Sequence, residues 1–102
     1  MAEYIYSINE IADIVAPVAR EYGVERVFLF GSYARGEAKP DSDIDLRIDK
    51  GEIKGYFKLA GFYSKLEEKF SIPVDVLTTG ALDDEFLARI KESEVILYER
   101  RP

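Results

Sequence analysis

The segment Phe28-Leu29-Phe30-Gly31-Ser32-Tyr33-Ala34-Arg35-Gly36-Glu37-Ala38-Lys39-Pro40-Asp41-Ser42-Asp43-Ile44-Asp45-Leu46 joins two strands through a glycine turn. The apolar run Val27 to Phe30 reads as the end of a strand covered on both faces. Gly31-Ser32 breaks it, and one helical turn through Tyr33-Ala34-Arg35 follows. Glu37 to Ser42, with Pro40-Asp41, reads as a loop. Asp43 to Asp49 then alternates, with Ile44, Leu46 and Ile48 on one side and Asp43, Asp45 and Arg47 on the other. Two carboxylates on one strand face have Cα atoms roughly 6.6 Å apart. They can lean onto one cation or share a pair; with none they repel, and each raises the other's pKa.

Outward from this segment, Ser7-Ile8-Asn9-Glu10 is a capping-box pattern that starts a helix at Ile8. Ile8, Ile11, Ala12, Val15, Val18, Ala19 and Tyr22 form its apolar face, Pro17 lies on the wet face, and Gly23 is the stop. A strand over Val24 to Phe30 leads into the glycine turn. Past a polar connection at Lys50 to Lys54, a second helix spans Gly55 to Phe70. Its expected core stripe is Tyr56, Leu59, Ala60, Tyr63, Leu66 and Phe70, with Phe62 on the flank and Phe57 outside it as a candidate partner contact. Ile72 to Thr78 is a strand on which Val74 and Val76 face away from Asp75. Asp83-Asp84-Glu85 opens a last helix to about Ser93, where acid suits the dipole. Val95 to Tyr98 closes the sheet, and Glu99 to Pro102 is a frayed tail. The expected fold is α/β (α+β), a small mixed sheet packed with helices, in a single domain over residues 1–102.

Composition narrows the chemistry. The chain has 102 residues, no cysteine and no histidine, which excludes thiolate or imidazole zinc sites and every triad with a histidine base. Clustered carboxylates favour hard cations such as Mg²⁺ or Mn²⁺. A net charge of −6 argues against direct nucleic-acid binding but is compatible with a metal-bound nucleotide. No apolar run approaches the length of a membrane span, and Met1 to Glu10 lacks a signal pattern, so the expected location is cytoplasmic.

The pieces combine into one candidate site. Gly31 permits close approach of a phosphate, and the backbone N–H groups after it form an anion nest, with the Ser32 hydroxyl as one more donor. If the Asp75 strand pairs with the Asp45 strand, about 4.8 Å away, Asp75 joins the cluster. Three carboxylates leave coordination positions for water and phosphate oxygens. Arg35 contacts a phosphate or pyrophosphate leaving group, stands solvated, or pairs with Glu37. Arg47 either balances the carboxylates, tunes nucleotide binding or weakens metal affinity.

Gly31-Ser32, ten intervening residues, then Asp43-x-Asp45 with a later strand aspartate resembles the signature of the DNA polymerase β-like nucleotidyltransferases. The fuller string through Gly36, Glu37 and Ala38 is similar to the minimal nucleotidyltransferases, short domains of about this length. The resemblance implies catalytic and metal-binding roles for Asp43, Asp45 and Asp75 with two Mg²⁺ ions. It implies a nucleotide-binding role for Gly31 and Ser32, with ATP as substrate. Family members are often encoded beside a HEPN-domain toxin, which implies an antitoxin that adds AMP to a tyrosine of that partner. Two alternatives stand beside this one: a non-catalytic antitoxin that neutralises by binding, and a nucleotidyltransferase acting on a small molecule or RNA.

Overall fold

A computed structural model of the chain describes residues 4–101. Helix α1 covers Ile8–Tyr22 and opens with the expected capping box: the Glu10 N–H donates to Ser7 Oγ (3.0 Å) while the Ser7 N–H donates to Glu10 Oε1 (2.8 Å). Pro17 lies inside the helix without ending it. Gly23, at φ 72°, ends it, and the Val24 N–H closes back onto the Ala19 carbonyl (3.0 Å). Strand β1 (Arg26–Phe30) passes into the single turn α2 (Gly31–Ala34); β2 (Ile44–Asp49) follows the loop. Then come α3 (Gly55–Lys69), β3 (Val74–Thr78), a 3₁₀ turn at Thr79–Ala81, α4 (Asp84–Ile90) and β4 (Val95–Glu99).

The sheet runs in the order β3-β2-β1-β4, with β1 antiparallel to both β2 and β4 and β2 parallel to β3. Helix α3 is the crossover that a parallel neighbour requires. Val27, Leu29, Ile44, Leu46, Ile48 and Val74 are fully buried and pack with Ile11 and Val15 of α1 and Phe62 and Leu66 of α3 in one core. Strand alternation therefore sends Phe28, Phe30, Asp45, Arg47 and Asp75 to the opposite face. There Phe86 of α4 meets Phe30 edge-on, ring centroids 6.2 Å apart.

The structure corrects several details of the expected pattern. Phe62 is a centre of the core and not its flank, wedged edge-on against Tyr22 of α1 at 5.8 Å. Tyr56, expected in the core, is 82% exposed, and Phe57 is 91% exposed. The reason is position: packing on α1 selects the side of α3 that carries Phe62, and this leaves its first turn uncovered. Ile53, expected in a polar connection, is buried. Helix α4 ends at Ile90 instead of near Ser93. Glu99 belongs to β4 rather than to a frayed tail, and the Arg100 N–H extends the pairing to the Glu25 carbonyl (2.8 Å). Pro102, the last residue of that expected tail, lies outside the described residues. Among the described residues no helix is long and apolar enough to cross a membrane.

Candidate active site

Strand register brings the sequence candidates together. Phe30, the last residue of β1, faces Asp45, and Asp45 faces Asp75 across the parallel pair. The chain leaves Phe30 and turns at Gly31 with φ 77°, a backbone that disfavours any side chain. Space forbids one as well, because a Cβ on Gly31 would lie 2.3 Å from Asp45 Oδ2. The glycine turn therefore rests directly against the Asp45 carboxylate. Ser32 is the second residue of the helical turn that Gly31 opens, where the first N–H groups have no intrahelical partner. The Ser32 carbonyl accepts from the Glu37 N–H (2.9 Å) and closes the turn.

Asp43 is exposed and stands one residue before β2, not within it. Its position is fixed by the turn before it: the Lys39 N–H donates to Ser42 Oγ and the Ser42 N–H to the Lys39 carbonyl. Asp45 is half-buried and Asp75 exposed on the edge strand. Burial first, then the charges of Asp75 and Asp43, push the Asp45 carboxyl up to about 6, against the pull of the Arg35 guanidinium. Arg35 forms the ion pair with Glu37, Nε to Oε1 at 3.0 Å, on an exposed side chain whose charge still reaches Asp45.

As the side chains stand, no three carboxylates among the described residues are gathered tightly enough to hold an ion. The donor set fits a hard divalent cation nonetheless. It consists of carboxylate oxygens, the hard donors such a cation prefers, with Asp75 in register beside Asp45.

Arg47 is bonded to groups other than the site carboxylates. It shares the strand face of Asp45 but is 3% exposed and turned away into a network of its own. Nη2 and Nε donate to the two oxygens of Glu94 at 2.6 and 3.1 Å, and Nη1 donates to Thr79 Oγ1 at 2.9 Å. The guanidinium lies 4.0 Å above the Phe28 ring. Thr79 Oγ1 in turn donates to Asp49 Oδ1 at 2.6 Å. Burial pushes Asp49 up, but the bonds from Thr79 and Arg26 and the charge of Arg47 hold it below the usual carboxylate range. Glu94 drew no attention in the sequence; the available signal was that a basic residue in an otherwise covered strand needs an acidic partner. Among the described residues the hydroxyl of buried Tyr33 has no hydrogen-bond partner.

Residues 10–102 match the family model described as polymerase beta, nucleotidyltransferase. A Methanocaldococcus jannaschii protein, provisionally named a protein adenylyltransferase, is 42% identical over 76 residues, which cover 74% of this chain and 82% of that one. The protein adenylyltransferase MntA of Thermococcus cleftensis is 35% identical over 80 residues, covering 74% and 81%. The fold is shared with a chain of a toxin–antitoxin crystal structure containing AMP-PNP, at TM-score 0.74 and 17% identity, covering 88% of this chain and 74% of that one. It is also shared with a chain of the Shewanella oneidensis complex of a tri-AMPylated HEPN toxin with its MNT antitoxin, at TM-score 0.64 and 18% identity, covering 91% and 71%. A mixed sheet in this order, the glycine turn seated on Asp45 and the family match over residues 10–102 agree: the chain belongs to the polymerase beta nucleotidyltransferase family.

Proposed function

We propose that the chain transfers AMP from ATP, with Mg²⁺, to a tyrosine hydroxyl of a HEPN-domain toxin and thereby acts as its antitoxin. The observation that carries the chemistry is the contact between turn and carboxylates: Gly31 against Asp45, with Asp75 in register beside it. Asp43, Asp45 and Asp75 would hold the cation. Once bound, Mg²⁺ neutralises charge growing on the transferred phosphoryl group. The Gly31–Ser32 turn holds phosphate oxygens through backbone N–H groups and the Ser32 hydroxyl. Asp75, on the open edge of the sheet, accepts the proton of the incoming hydroxyl. Arg35, at the rim, meets the departing pyrophosphate. A protein acceptor suits a site whose outer carboxylates are exposed, because a small molecule needs a more enclosing cavity. The net charge of −6 speaks against a polynucleotide. The adenylyltransferase names of the relatives and the HEPN complexes of the structural neighbours support the same reading.

The test incubates the protein with Mg²⁺, ATP labelled at the α-phosphate and a HEPN-domain toxin, with an Asp43→Ala/Asp45→Ala control. Label should appear on a partner tyrosine and drop by more than about 10²-fold in the control, the scale of losing one preorganised electrostatic group. Equal complex formation with no label in either sample would overturn transfer and leave neutralisation by binding.

A further inference from the structure

Asp45 and Arg47 lie two residues apart on one face of β2, so the strand delivers a full positive charge to the border of an anionic cluster. A cation in that place competes with any metal for the same carboxylates. The guanidinium is engaged elsewhere. Glu94, from the turn between α4 and β4, takes both sides of its planar fork, Thr79 takes a third N–H, and Phe28 supplies a face to stack on. Asp49, 3.7 Å away, is only a shared partner, because its Oδ2 is held by Arg26 at 2.8 Å and its Oδ1 accepts from Thr79 at 2.6 Å.

We propose that Glu94 is a positioning residue for the carboxylate site: by neutralising and orienting Arg47, it keeps a competing side-chain cation off Asp45 and leaves that face anionic for a divalent metal. This inference rests on the reading that Asp43, Asp45 and Asp75 take the metal. With Glu94 uncharged, Arg47 has only a shared partner, and Asp45 is the next carboxylate along the same strand face.

Binding of Mn²⁺ alone to the full chain, followed by loss of its free EPR signal, tests this without turnover. Wild type, Asp45→Asn, Glu94→Gln and the double variant Arg47→Met/Glu94→Gln are compared, each with a melting curve showing it folded. Glu94→Gln should bind Mn²⁺ on the order of tenfold more weakly, the scale of a full positive charge released onto the strand face that carries Asp45. The double variant should return to within about twofold of wild type, a rescue that mere destabilisation does not produce. Wild-type affinity in Glu94→Gln, or a double variant as weak as the single, overturns the proposal. Should Glu94→Gln fail to fold, Arg47→Lys serves instead: it keeps the charge and loses the bidentate fork. Several-fold weaker binding supports the proposal, and unchanged affinity overturns it. If wild type binds Mn²⁺ no better than Asp45→Asn, the metal reading fails and this inference falls with it. Normal wild-type binding with unaffected variants defeats this inference alone.

Discussion

A methyl group at position 31 would lie 2.3 Å from Oδ2 of Asp45, on a backbone whose φ of 77° already penalises side chains. Gly31→Ala therefore carries two costs. The left-handed backbone contributes about 1–2 kcal/mol of destabilisation. The clash adds to it and moves Asp45, so AMP transfer should fall far more than the melting temperature alone accounts for; parallel melts and transfer assays on the variant would show this. The turn and the carboxylates were legible as a pair because their spacing along the chain is short and distinctive. Their direct contact was not, because it depends on Phe30 and Asp45 facing each other in the antiparallel ladder. Arg47 shows the opposite limit. Its strand face was read correctly, but its partner Glu94 lies 47 residues further on, and only the folded sheet brings them together.

Among the elements, α3 shows where helical periodicity runs out. Its sequence offers aromatic residues on several sides, and a wheel cannot decide which side meets the core. Packing against α1 decides it. Gly61 lets α3 approach closely enough that an added Cβ would lie 3.3 Å from the Tyr22 ring, and Phe62 fills the junction. Phe62→Ala should cost about 3–5 kcal/mol, the range for a fully buried aromatic. Phe57→Ala should stay within about 0.5 kcal/mol, as an exposed substitution does. Urea denaturation of the two variants separates this packing from the stripe expected on periodicity, which left Phe62 at the margin. Helix α1 needed no such correction, since the capping box and Gly23 mark both of its ends chemically.

For the whole molecule, the pH dependence of stability follows from two aspartates with opposite shifts. The folded chain holds the Asp45 proton with a pKa of about 6 against an ordinary 3.8, so it binds that proton more tightly than the unfolded chain. Without metal, stability should therefore rise as pH falls from neutrality through 6 towards 4, moderated by the solvent that reaches Asp45. Asp49 is shifted down, so its contribution is present above its ordinary value and lost as pH drops through its folded pKa. The EDTA-treated protein should be most resistant to urea between about pH 4 and 6. In Asp45→Asn the gain between pH 7 and 5 should vanish; a gain that persists would assign it to general self-repulsion of a chain with net charge −6. The paired strands carry one more consequence. Were β2 to slide by a single residue along β1, Ile44, Leu46 and Ile48 would leave the core, and Asp45, Arg47 and Asp49 would be forced beneath α1 and α3. The charged side of the strand thus proofreads its own alignment during folding. An inactive descendant that exchanged Asp45 and Arg47 for valine would carry apolar side chains on both faces of β2, and with them it would lose much of its means of telling the native pairing from the one beside it.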